Sequence, residues 1–149
     1  MALFSSCTRS SLPAQRPADF AIAYHRSSMV APTLGDAWRL DATGWTFEGA
    51  SDKVIAGPAE PKELDSAYAL VRDAKLDVMK WAKRDVQISD GHSKTIALTA
   101  SGKKTELRSG TQYELVRGDI DSYRHAVDGL ESLAGGALRR LNAGGPAPR

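Results

Sequence analysis

The chain has 149 residues, with 20 basic and 18 acidic side chains and a net charge of +2. That length suits one domain with its own core, and 42% hydrophobic and 26% charged content is ordinary for a soluble globular chain. The charge balance argues against a dedicated nucleic-acid binder. No apolar run reaches the ~20 residues of a membrane helix, and the single cysteine, Cys7, excludes an internal disulfide and a zinc site built on cysteines.

Residues 1–17 are dominated by serine, proline, arginine and small side chains without periodicity, and are expected to form a disordered tether. A single domain is expected over residues 18–142. It opens with a strand over residues 19–26, where Phe20, Ile22 and Tyr24 alternate with Ala21, Ala23 and His25. A loop over residues 27–36 follows, broken by Pro32 and Gly35. Trp38 and Leu40, the turn at Asp41–Gly44, then Trp45 and Phe47 read as an aromatic hairpin. A short strand carrying Val54 leads to Gly57 and Pro58.

Advancing ~100° per residue from Leu64 places Ala67, Tyr68, Val71 and Ala74 on one face, which predicts a helix from Pro61 to about Lys75. Pro61 suits a first turn, and Glu60 and Glu63 place negative charge at the positive end of the dipole. Leu76, Val78, Met79 and Trp81 are expected as a turn packing back on the sheet. Lys94–Ala100 and Lys103–Arg108 form the clearest hairpin, turning at Ser101 and Gly102. A second helix is expected from Gly118, with Ile120, Tyr123, Val127, Leu130, Ala134, Leu138 and Leu141 on one arc. Gly135 and Gly136 predict a kink or early end, since each glycine costs up to ~1 kcal/mol in a helix interior. Residues 143–149 read as a disordered tail. The order strands, helix, hairpin, helix predicts an α+β fold: an antiparallel sheet of about five strands with two helices packed on one face.

Leu3-Phe4-Ser5-Ser6-Cys7, with the Ser/Pro/Gln-rich stretch behind it, resembles the cleavage region of bacterial lipoproteins. The order of elements over residues 17–141 is similar to that of small bacterial envelope proteins. These resemblances imply lipid modification at Cys7, contact with the membrane only through that anchor, and a place in the cell envelope. Export also needs a basic start and an apolar segment of ~7–15 residues before the cysteine. Without one upstream, the address is cytoplasmic.

Chemistry is sparse in the pattern. His25, His92 and His125 are far apart and read as surface or edge residues, not as metal ligands. Asp90-Gly91-His92-Ser93 puts acid, imidazole and hydroxyl in one loop, although triads usually draw on separate elements. Lys80, Trp81, Lys83 and Arg84 make a basic patch around an aromatic ring, which reads either as a base-stacking surface or as a turn whose tryptophan fills the core. Met29, Val30 and Leu34 stand on the loop at residues 27–36 as candidate partner-binding residues. The expected function is a non-enzymatic envelope domain that binds another protein, without cofactor, metal or nucleic acid. Two alternatives stand beside it: a small hydrolase or metal-dependent enzyme using His25 or His92, and a weak nucleic-acid binder through Lys80–Arg84.

Overall fold

The computed structural model describes residues 9–28, 32–49, 53–85 and 91–143. The fold is α+β, with a six-stranded antiparallel sheet, a small two-stranded sheet and two helices. The strands are β1 (Ala21–Ser27), β2 (Ala37–Asp41), β3 (Gly44–Glu48), β4 (Val54–Gly57), β5 (Lys80–Lys83), β6 (Ser93–Ala100), β7 (Lys103–Gly110) and β8 (Tyr113–Arg117). The helices are α1 (Pro61–Asp73) and α2 (Ile120–Asn142). The large sheet runs β4-β3-β2-β1-β6-β7, and β5 pairs with β8.

Alternation decides which side of the large sheet is covered. Ile22, Tyr24, Trp38, Leu40, Trp45, Phe47, Ile96, Leu98 and Leu107 point to one side and are all buried. Leu64, Ala67, Tyr68 and Val71 of α1 and Tyr123, Ala126, Val127, Leu130, Ala134 and Ala137 of α2 share that core. Aromatic rings link β1, β2 and β3: Tyr24 stacks on Trp38 at 5.2 Å and Trp38 meets Trp45 edge-on at 5.5 Å, while within β3 Trp45 stacks on Phe47 at 5.4 Å.

The expected α+β fold of an antiparallel sheet and two helices is the one formed, with six strands in the large sheet and a small two-stranded sheet in addition. Other expectations are corrected. Lys80–Lys83 is strand β5 and not a turn, because Tyr113–Arg117, left unassigned by pattern, supplies its partner. Helix α2 does not end at Gly135 and Gly136 but runs on to Asn142. It extends ~35 Å at 1.5 Å per residue, while five strand spacings amount to ~24 Å, so one rod crosses the whole sheet. Its far end is held by Leu141 against Gly57 and by Arg140, which donates to the Pro58 carbonyl at 3.0 Å and pairs with buried Glu63 of α1 at 2.9 Å. This packing outweighs the propensity cost of two glycines. Ile120, expected inward, is 37% exposed at the helix start.

Residues 10–16, expected as free tether, lie along α1 and the 3-10 turn at Leu76–Val78. Buried Asp77 accepts three hydrogen bonds at 2.8 Å, from the Ser10 hydroxyl, the Ser11 N–H and the Ser11 hydroxyl. The Tyr68 hydroxyl donates to the Pro13 carbonyl, Arg16 pairs with Asp65 at 2.8 Å, and Leu12 packs on the core. The seryl residues that made this segment look unstructured are the groups that a buried carboxylate needs as donors.

Candidate functional site

A cleft of about 240 Å³ opens where α2 crosses β1, β2 and β3. Its floor is Trp38 and Phe47, both pointing to the covered side of the sheet. Leu34 and Leu138 form apolar walls, and Arg26 and Glu131 form the polar wall. Two glycines keep it open. Gly35 has φ +106, which its turn requires and which side chains rarely adopt. Gly135 faces the cleft from α2, and a Cβ there would meet only the Arg139 guanidinium, at 3.6 Å.

An ionic chain runs along the polar wall. Arg26, at the end of β1, reaches Asp36 at 2.5 Å and Glu131 at 3.6 Å, and Lys94 of β6 reaches the other Glu131 oxygen at 2.6 Å. Asp36 also accepts the Thr33 N–H at 2.8 Å, which closes the loop that carries Leu34. Burial pushes the Asp36 carboxyl up, but the Thr33 N–H and Arg26 outweigh it and hold the group below the ordinary aspartate value. The Asp36 hydrogen bond, in turn, raises the Arg26 guanidinium. Tyr24 lies well above the ordinary tyrosine value because it is buried, and secondarily because Glu131 adds negative charge beside it. Arg26 and Asp36 thus hold each other in their charged forms.

Of the residues singled out by pattern, Leu34 lines this cleft, while Met29, Val30 and Cys7 lie outside the described residues. His25 is exposed on the uncovered side of the sheet, His92 is exposed just before β6, and neither lines this cleft. Asp90 lies outside the described residues. His125 borders a second cavity of about 320 Å³ with Leu70, Asp73, Asp119 and Asp121. There Asp119 is engaged in capping α2, accepting from the Ser122 N–H at 2.9 Å and hydroxyl at 2.7 Å. Among the described residues, no three His, Cys, Asp or Glu side chains gather as metal ligands would. Lys80, Lys83 and Arg84 are exposed, but Trp81 turns inward and meets Tyr123 edge-on at 4.8 Å. That ring is engaged in the core rather than offered for stacking.

Arg26, Asp36, Lys94 and Glu131 were not foreseen as a group. Each reads alone as a surface charge, and α2 joins them only by crossing the sheet. No protein-family model and no curated protein matches the chain.

Proposed function

We propose that this domain is a non-enzymatic protein-binding module whose cleft beside Leu34 receives one side chain of a partner protein. The observation that carries this reading is the cleft itself. An apolar floor of Trp38 and Phe47 lies beside an ion-paired rim, the arrangement of a binding hot spot with a polar border. Its volume falls below the ~300–1,000 Å³ typical of small-molecule sites. Leu34 adds an apolar contact on the loop at residues 27–36.

Gly135 provides the test, because filling the cleft there need not damage the fold. Gly135→Ala removes a helix-interior glycine and should raise stability by up to ~1 kcal/mol. Gly135→Leu should fold and block the cleft. The expected result is a cross-linked partner, recovered from an envelope fraction with wild-type protein and lost with Gly135→Leu. Recovery of the same partner with both proteins would end the cleft reading.

The envelope address belongs to the same proposal, with Cys7 as lipid attachment and no contact with nucleic acid. Expression from the natural upstream frame with a labelled fatty acid should give a labelled chain, and Cys7→Ser should abolish the label. An unlabelled wild-type chain would leave a cytoplasmic binding module.

A further inference from the structure

The side of the six-stranded sheet away from the helices has no element packed on it among the described residues. Its middle is built mostly from small side chains: Ala21 and Ala23 of β1, and Thr95, Ala97 and Thr99 of β6, in register as Ala21 with Thr99 and Ala23 with Ala97, while exposed His25 stands at one end opposite Thr95. Charged residues stand on the strands flanking this pair. On β2, Arg39 lies opposite Ala23, with Asp41 two residues on. On β7, Glu106 lies opposite Ala97 and Lys104 opposite Thr99.

We propose that this face pairs with the same face of a second copy of the chain. Place a two-fold axis parallel to the strands, above the gap between β1 and β6. It leaves height along the strands unchanged and reverses their order, so β1 lies over β6 of the second copy and β2 over its β7. Arg39 then meets Glu106 of the second copy, and Asp41 meets its Lys104. The reciprocal contacts form by symmetry. At the centre Ala23 faces Ala97, and their small size lets the sheets close. The same pattern set against an identical face without this rotation would put like charges together. The charges thus fix one arrangement and oppose another.

Four strands at ~4.8 Å spacing and five residues at ~3.4 Å give a projected face of roughly 320 Å² per copy. That is small against a standard interface, so pairing is weak and depends on concentration. It uses the surface opposite the cleft, so the two readings stand or fall separately.

Arg39 and Glu106 lie three strands apart on one copy, ~14 Å, too far to pair within it. Within the chain Arg39 pairs with Asp41 at 3.0 Å and Glu106 with Arg108 at 2.7 Å. Exchanging the two charges therefore worsens both internal pairs, and any rescue must come from across the interface. Sedimentation velocity from micromolar to millimolar concentration is the measurement, with melting curves to confirm folding. Wild type should shift from monomer to dimer. Arg39→Glu and Glu106→Arg should each weaken dimerisation about tenfold or more. The double variant should recover most of the loss. A wild-type chain that stays monomeric, one that forms larger species, or a double variant no better than the singles would overturn the proposal.

Discussion

The two sides of the six-stranded sheet are built from the same strands and follow opposite rules. Toward the helices stand Trp38, Trp45, Phe47, Tyr24 and Leu40, all buried. Away from them, in alternate positions of those strands and β6, stand Ala21, Ala23, Ala37, Thr46, Thr95 and Ala97. Size does the work on the covered side, because each large ring removes more apolar area from water. Solvent alone does not explain the other side. Strands disfavour alanine, and an exposed strand position usually gains from threonine, valine or a charge. Smallness at the middle of that side is the feature self-pairing accounts for.

The contrast breaks most easily at Leu130. This α2 residue is fully buried over the middle of the sheet. Leu130→Ala should cost ~2–5 kcal/mol by loss of transfer energy and by the cavity left behind. Thr95→Ala on the other side should change monomer stability by ~0.5 kcal/mol or less. Urea denaturation of both variants at a concentration where the wild type is monomeric checks the pair. Similar costs for the two would mean that the sides are not energetically distinct.

A smaller effect is expected where the covered side meets its edge, at Asp77. Asp77→Asn removes the charge and turns an amide donor toward the Ser10 and Ser11 donors, at a cost of ~1–3 kcal/mol. The pH dependence follows from the direction of the shift. Burial pushes the carboxyl up, but the Ser10 and Ser11 hydrogen bonds lower it further, so the folded group titrates below the ordinary aspartate value. A depressed carboxyl contributes fully above its unfolded pKa and loses that contribution as pH falls through the folded value. The gap between wild type and variant should therefore be flat from neutral pH to about pH 5 and close below about pH 4. Proteolysis within residues 10–16 should accelerate in the variant.

The elements that could be read from sequence are those in which local pattern and tertiary demand agree. The hairpin of β6 and β7 shows alternation on both sides of Ser101 and Gly102, and α1 shows a clean stripe ending where Lys75 adopts φ 56. Pattern failed where a remote partner decides. Tyr113–Arg117 is short, and its Val116 is 57% exposed, so its pairing with Lys80–Lys83 is what makes it a strand. The two glycines of α2 signalled a break that its far-end contacts override. The polar wall of the cleft left no local trace, since Arg26, Lys94 and Glu131 are brought together by the crossing of α2. Only Leu34, an apolar residue on a polar loop, marked the place.

The smallest expected change is the one that separates the two roles of the uncovered side. Ala97 is exposed and lies between Ala23 and Glu106 in the register. Ala97→Thr replaces a poor strand former with a good one and adds no large apolar surface, so the monomer should gain a few tenths of a kcal/mol. The β-branched side chain also stands out from the sheet at the point where the two copies approach most closely. If smallness serves self-pairing, dimerisation should weaken severalfold while the melting temperature of the monomer rises slightly. Stability and association would then move in opposite directions from one methyl and one hydroxyl, which a merely solvated face has no reason to produce. A variant that is more stable and pairs as well as wild type would show that the small size of the alanines is incidental to pairing.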